Sequence, residues 1–130
     1  MQVTIYHNPK CSKSRDALRF LRDAGIKPTV VLYLDTGWTA SLLHDLKEGT
    51  GLLWHEMLRP DARATLQGPI KKNKEAAIIQ YVIDSPVALE RPFVVSDRGT
   101  RLCRPIQMIF QIIESRPKSP WLTEKGIPVL

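Results

Sequence analysis

Apolar and polar residues alternate at the start of the chain. Val3 and Ile5 are interleaved with Gln2 and Thr4, the two-residue period of a half-buried strand. The period then lengthens. Leu18, Leu21 and Ala24 recur at helical spacing, and Gly25 followed by Pro28 supplies a stop signal. Residues 29–33, Thr-Val-Val-Leu-Tyr, form a nearly continuous apolar run, which predicts a second strand buried on both faces. A strand–helix–strand unit of this length predicts a parallel, right-handed crossover.

From about residue 39 to 85 the pattern is helical. Thr39 or Ser41 can cap a helix bearing Leu42, Leu43 and Leu46, which Gly49 ends. A short apolar segment spans Leu52–Leu58, and Pro60 with Gly68-Pro69 predicts a loop. Asn73 can cap a further helix carrying Ala77, Ile78, Tyr81 and Val82, halted by Ser85-Pro86. Strand character returns in Phe93-Val94-Val95. Asp97-Arg98-Gly99 is a turn signal, and Arg101-Leu102-Cys103 reads as the returning strand of a hairpin. Pro105 suits the first position of a last helix, with Ile106, Ile109, Phe110 and Ile113 as its apolar stripe. Residues 117–130 hold Pro117, Pro120 and Pro128 and read as a tail. The sequence leaves two arrangements open for it, docking through Trp121 and Leu122 or a mobile end. The order β-α-β, helical block, β-β-α predicts one α/β domain over residues 1–116 with a helical insertion at about 39–85.

Composition narrows the class. At 130 residues, 43% hydrophobic and 25% charged, the chain has the make-up of an ordinary globular domain. No apolar stretch is long enough for a membrane span, and the N-terminus lacks the basic flank and apolar core of a signal peptide. Both point to the cytoplasm, where two cysteines stay reduced. The net charge of +6 raises the question of nucleic acid. Yet the cations are scattered, except around Lys10–Arg15 and Lys71–Lys74, which argues for an anion pocket rather than a nucleic-acid surface. His44 and His55 have no metal-ligand spacing with either cysteine, so no metal is expected.

Cys11 carries the candidate chemistry. It sits where the first strand turns into the first helix, in His7-Asn8-Pro9-Lys10-Cys11-Ser12-Lys13-Ser14-Arg15. Unsatisfied N–H groups and the positive end of the dipole gather at a helix start, and both favour an anion. Only a few per cent of a free thiol is thiolate at neutral pH, whereas helix starts and nearby cations lower the pKa to about 3.5–7.5. Lys10, Lys13 and Arg15 flank the sulfur. Features that hold a thiolate also attract an oxyanion substrate.

The element order resembles the thioredoxin fold, a mixed sheet with an inserted helical subdomain. The Cys11 motif, together with Leu32-Tyr33-Leu34, Leu58-Arg59, Glu90-Arg91-Pro92 and Gly99-Thr100-Arg101-Leu102-Cys103-Arg104-Pro105, resembles the glutaredoxin-coupled arsenate reductase (ArsC-like) family. The likeness runs from about Val3 to Glu114. It implies that Cys11 is the nucleophile and that His7 helps lower its pKa and orients the site. It further implies that Arg59, Arg91 and Arg104 hold the oxyanion and that Pro92 follows a cis peptide bond. The implied reaction reduces arsenate to arsenite, with glutathione as co-substrate, glutaredoxin as partner and no bound cofactor.

Other readings of the same residues stay open. Arg15 is either a positioned helix residue or part of the field, and Ser14 either donates to the sulfur or is a plain first-turn residue. Cys103 is either a resolving thiol or a small buried residue, and the resemblance favours the second. A redox-sensing regulator of the same fold is the main alternative, but such proteins carry Cys-x-x-Cys where this chain has Ser14. A thiol oxidoreductase without arsenate activity would not need three arginines. A phosphatase-like loop would want Cys-x5-Arg, whereas Arg15 lies four residues after Cys11.

Overall fold

A computed structural model describes residues 1–130. Its sheet has four strands, β1 (Thr4–His7), β2 (Thr29–Leu32), β3 (Phe93–Ser96) and β4 (Gly99–Leu102), in the order β2-β1-β3-β4. β1 pairs with β2 in parallel, Ile5 opposite Val30, and with β3 antiparallel, Ile5 opposite Val94. β3 and β4 form the predicted hairpin, with Ser96 opposite Gly99. This is the mixed sheet of a thioredoxin-like fold, as the element order leads one to expect.

The helix α1 (Ser12–Asp23) connects β1 to β2. It ends where the sequence places the stop. Gly25 adopts φ 83°, donating to the Arg22 carbonyl at 3.0 Å, and Ile26 donates to the Leu21 carbonyl at 3.0 Å. This pair of bonds satisfies carbonyls that the last turn would otherwise leave open. Ala17, Phe20 and Leu21 of α1 pack with Ile5, Val94, Ile109 and Ile112 into the core below the sheet.

Two compact units emerge, residues 1–32 with 91–130, and residues 33–90. The second is helical. Its helices are α2 (Tyr33–Thr36), α3 (Ala40–Thr50), α4 (Trp54–Met57), α5 (Pro60–Thr65), α6 (Gln67–Lys71) and α7 (Glu75–Asp84). Thr39 caps α3, its hydroxyl accepting from the Leu42 N–H at 3.1 Å. Leu43, Leu46, Met57, Leu58, Ile78, Val82 and Leu89 are buried in this unit.

Several elements differ from the sequence-based expectation. β2 is not buried on both faces. It lies at the sheet edge with Thr29 and Leu32 exposed, and its apolar run reflects one packed face and its position beside β1. Gly49 does not end α3, which runs on to Gly51 at φ 70°, where the left-handed backbone suits glycine. Residues 60–71 are helical rather than a loop, because Pro60 occupies the first turn of α5 and Pro69 that of α6, where the missing N–H costs nothing. Asn73 does not cap α7. It takes φ 53° one residue before the cap position, which Lys74 fills.

The last predicted helix is a 3-10 helix over Ile106–Gln111. The residues Ile106, Ile109 and Ile112 recur every third position, which matches three residues per turn better than 3.6. Of the two arrangements left open for residues 117–130, the docked one holds. Trp121 is only 5% exposed and meets the Phe20 ring edge-on at 5.0 Å. Arg19 lies over the Trp121 ring at 4.0 Å, and Trp121 Nε1 donates to Asp23 at 2.9 Å. Leu122 stays exposed. The tail also folds back on itself, with Trp121 and Leu130 joined by a backbone hydrogen bond of 3.1 Å.

Trp121 therefore belongs to the core. Trp121→Ala is expected to lower the unfolding free energy by about 3 kcal/mol, the scale of large aromatic deletions. Urea denaturation followed by circular dichroism measures it, and a loss below about 1 kcal/mol would mean that the tail adds nothing to the core.

Candidate active site

The chain leaves β1 through a tight turn that delivers Cys11 to the start of α1. The Asn8 side chain accepts from the Lys10 N–H at 3.0 Å, and the Asn8 carbonyl accepts from the Cys11 N–H at 3.0 Å. Side-chain bonds of this kind let asparagine close a turn on its own backbone. Cys11 then occupies the cap position of α1 in extended conformation, and its carbonyl accepts from the Arg15 N–H at 3.0 Å. Its side chain is only 9% exposed.

Burial alone pushes the Cys11 thiol up. The backbone N–H of Ser14, the Arg91 side chain and the backbone N–H of Lys13 act against it, and together they hold the thiol below its ordinary value. The helix start thus supplies two donors to the sulfur, and Arg91 adds a positive charge.

The hairpin explains how two distant arginines reach this sulfur. Phe93 lies opposite Leu102 in the β3–β4 register. Carried beyond the strands, that register sets Arg91 opposite Arg104, and the Cys103 N–H still donates to the Pro92 carbonyl at 2.9 Å. β1 runs beside β3 with Tyr6 opposite Phe93, so the turn holding Cys11 follows on the same side. Arg104 Nη1 lies 3.9 Å from Cys11 Sγ and 3.2 Å from the Arg91 carbonyl oxygen. Nε and Nη1 of Arg91 are buried without a hydrogen-bond partner. The Arg91–Pro92 peptide is cis.

His7 and Ser14 form a buried pair, Nδ1 to Oγ at 2.6 Å, and Ser14 Oγ also accepts from the Asn8 N–H at 3.0 Å. The Ser14 hydroxyl contacts His7 and the turn, and the Ser14 backbone N–H faces the sulfur. Burial, with the Arg22 and Arg15 charges, lowers the His7 pKa, so the ring is neutral at neutral pH. His7 thus contacts Ser14 in the turn and offers no cation to the sulfur.

Two of the arginines singled out in the sequence have carboxylate partners. Arg15 grips both oxygens of Glu124, Nε to Oε2 at 3.0 Å and Nη2 to Oε1 at 2.6 Å, while Nη1 donates to the Pro9 carbonyl at 2.8 Å. Arg59 lies in the helical unit, where it precedes Pro60 with an extended backbone and pairs with Glu90 at 3.1 Å. Sequence reasoning overlooked both carboxylates and the turn-closing role of Asn8. The Asn8-Pro9 pair was a visible turn signal, whereas Glu124 sits in a segment with no readable pattern.

Cys103 is 1% exposed, and burial pushes its pKa up to about 12. Its Sγ lies 3.8 Å from the Arg101 carbonyl oxygen. The arrangement as a whole offers an ionisable sulfur facing two guanidinium groups, one of which has nitrogens awaiting acceptors. Such a site suits nucleophilic attack on an oxyanion.

Comparisons with known proteins identify the relatives of this chain. The profile of the ArsC family matches residues 6–112. The whole chain is 38% identical to an arsenate reductase of Rhizobium meliloti (strain 1021), covering 94% of that relative. It is 40% identical over 115 residues to an uncharacterised protein, YfgD, of Escherichia coli (strain K12), spanning 86% of this chain and 97% of that one. Among solved structures, the arsenate reductase from Vibrio cholerae aligns with a TM-score of 0.73 at 33% identity, over 87% of this chain and 98% of that one.

Reactivity should separate the two thiols. The rate of Cys11 alkylation by iodoacetamide is expected to rise with a midpoint below the free-thiol value of about 8.5. Arg91→Gln should move that midpoint upward, because it removes a donor and a charge from the thiolate. Cys103 should stay unmodified until the protein is denatured. A wild-type midpoint at or above the free value would remove the activated nucleophile.

Proposed function

The chain belongs to the ArsC family, and we propose that it reduces arsenate to arsenite through Cys11, with glutathione as co-substrate and glutaredoxin as partner. One observation supports this reading above the others. Arg91 keeps two buried guanidinium nitrogens without acceptors beside a thiol held toward its ionised form. Unsatisfied buried donors cost on the order of 1–3 kcal/mol each, and more when charged. A tetrahedral oxyanion would satisfy them, and guanidinium forks match its geometry.

In this reading Arg91 and Arg104 receive arsenate and offset the repulsion between its charge and the thiolate. Arg59 enters through the family resemblance alone. The Cys11 thiolate attacks arsenic, an As–S bond forms, and one arsenate oxygen leaves as hydroxide or, once protonated, as water. The glutathione thiol then adds at arsenic with loss of a second water. The glutaredoxin thiolate attacks the glutathione sulfur. A disulfide forms between glutathione and glutaredoxin, and the electron pair of the broken S–As bond reduces As(V) to As(III). Hydrolysis of the remaining Cys11–As(III) bond releases arsenite and restores the thiol.

No helix is long and apolar enough to cross a membrane, and the co-substrate belongs to reducing compartments. The reaction therefore fits the cytoplasm.

The test is an NADPH-linked assay with arsenate, glutathione, glutaredoxin and glutathione reductase. Turnover should vanish in Cys11→Ser and persist in Cys103→Ser. Arg91→Ala should lower kcat/KM by roughly 10²–10³-fold, the scale of losing a preorganised charge donor. No arsenate-dependent NADPH consumption would overturn the proposal, and equal loss in both cysteine variants would replace it with an internal disulfide mechanism.

A further inference from the structure

We infer that a cavity of about 330 Å³ between the first turns of α1, the segment after β4 and the C-terminal tail seats the glutathione co-substrate. The inference rests on the reading of the reaction given above and adds the place where the second thiol binds. Such a volume lies at the lower end of the ~300–1,000 Å³ typical of small-molecule sites.

The chemistry requires a thiol from outside. Reducing As(V) to As(III) takes two electrons, and the chain's other cysteine, which borders this cavity, is only 1% exposed with its pKa pushed up to about 12. The incoming thiol must therefore dock close to Cys11. The cavity meets that need through Arg104, which lines it and also lies 3.9 Å from Cys11 Sγ.

The lining matches the tripeptide in charge. Glutathione carries two carboxylates and one ammonium group. Lys13 and Arg104 offer two cations to the cavity. Asp16, 4% exposed, offers a carboxylate whose Oδ1 already accepts from the Glu124 N–H at 2.8 Å and pairs with Arg19 at 3.5 Å. Ile106, Ile127 and Val129 supply apolar surface for the methylene groups, and Gln107 and Thr123 can hydrogen-bond to the peptide amides. Opposite charges in one lining orient a zwitterionic ligand as well as bind it.

The tail wall is specific to this region of the chain. Thr123, Ile127 and Val129 lie beyond the residues 6–112 that match the family profile. Trp121 and the Arg15–Glu124 pair hold that wall against α1. In the step this site serves, the glutathione sulfur bonds to arsenic on Cys11 and water departs, with arsenic still As(V) until glutaredoxin acts.

The test uses S-methylglutathione, which keeps the charges and cannot react, titrated into the full-length protein by calorimetry. Gln107→Trp, after β4, and Ile127→Trp, in the tail, each narrow the cavity from an exposed position, and circular dichroism checks that each is folded. Each should weaken binding by about fivefold or more, a loss of roughly 1 kcal/mol. Lys13→Gln should weaken it less and flatten its salt dependence. In turnover, the KM for glutathione should rise in the wall variants while the KM for arsenate stays unchanged. Wild-type affinity in both folded wall variants, or no binding to the wild type, would overturn the inference. Arsenate turnover with unchanged glutathione KM in those variants would discard the cavity and leave the reaction standing. Binding that the wall variants abolish, in a protein without arsenate turnover, would do the reverse.

Discussion

A thiol held toward its charged form inside the protein is the condition that the first unit is arranged around. Taking a thiolate out of water is unfavourable, and at Cys11 burial is the largest single influence on the thiol, acting against ionisation. Three contributions oppose it, from two backbone N–H groups and one guanidinium. Two of these are properties of a helix start and need no particular side chain. The third must be brought from a part of the chain some eighty residues away in sequence. The β3–β4 hairpin exists in the right place for that purpose. It sets the residues flanking it, Arg91 and Arg104, opposite each other and beside the turn after β1.

The polar contacts around the turn serve the same end. Asn8 closes the backbone, Ser14 ties the turn to His7, and Arg15 ties Pro9 to the tail. None of these groups touches the sulfur with its side chain, yet each limits where Cys11 can sit relative to the N–H groups of residues 13 and 14. A donor displaced by a fraction of an ångström loses much of its electrostatic value at short range. Rigidity of the turn and ionisation of the thiol are therefore one requirement seen from two sides.

The parts legible in the sequence were those with local causes. Period-two alternation marked β1, Asp97-Arg98-Gly99 marked the hairpin, and Gly25 marked the end of α1. The position of Cys11 at a helix start followed from the neighbouring patterns. The misread elements were ones where tertiary context overrides a local signal. An edge position exposes β2 in spite of its apolar run, and prolines that looked like loop residues occupy first turns of α5 and α6. The partners of Arg15 and Arg59 were illegible for a different reason. Glu124 and Glu90 lie 109 and 31 residues away, and no periodicity links an ion pair across such separations.

Those two ion pairs also bear on how a chain of net charge +6 can be selective. A general polyanion surface would display its arginines to solvent in a contiguous patch. Here Arg15 and Arg59 are matched by carboxylates within their own units, and Arg91 turns two buried nitrogens toward no acceptor in the protein. The unmatched guanidinium nitrogens beside the sulfur are thus confined to buried positions. Confinement matters because a desolvated cation discriminates by size and geometry, whereas an exposed one attracts any anion through a screened field. A small oxyanion can satisfy buried guanidinium nitrogens and present its central atom to the thiolate at once. A long polyanion cannot enter far enough to do either.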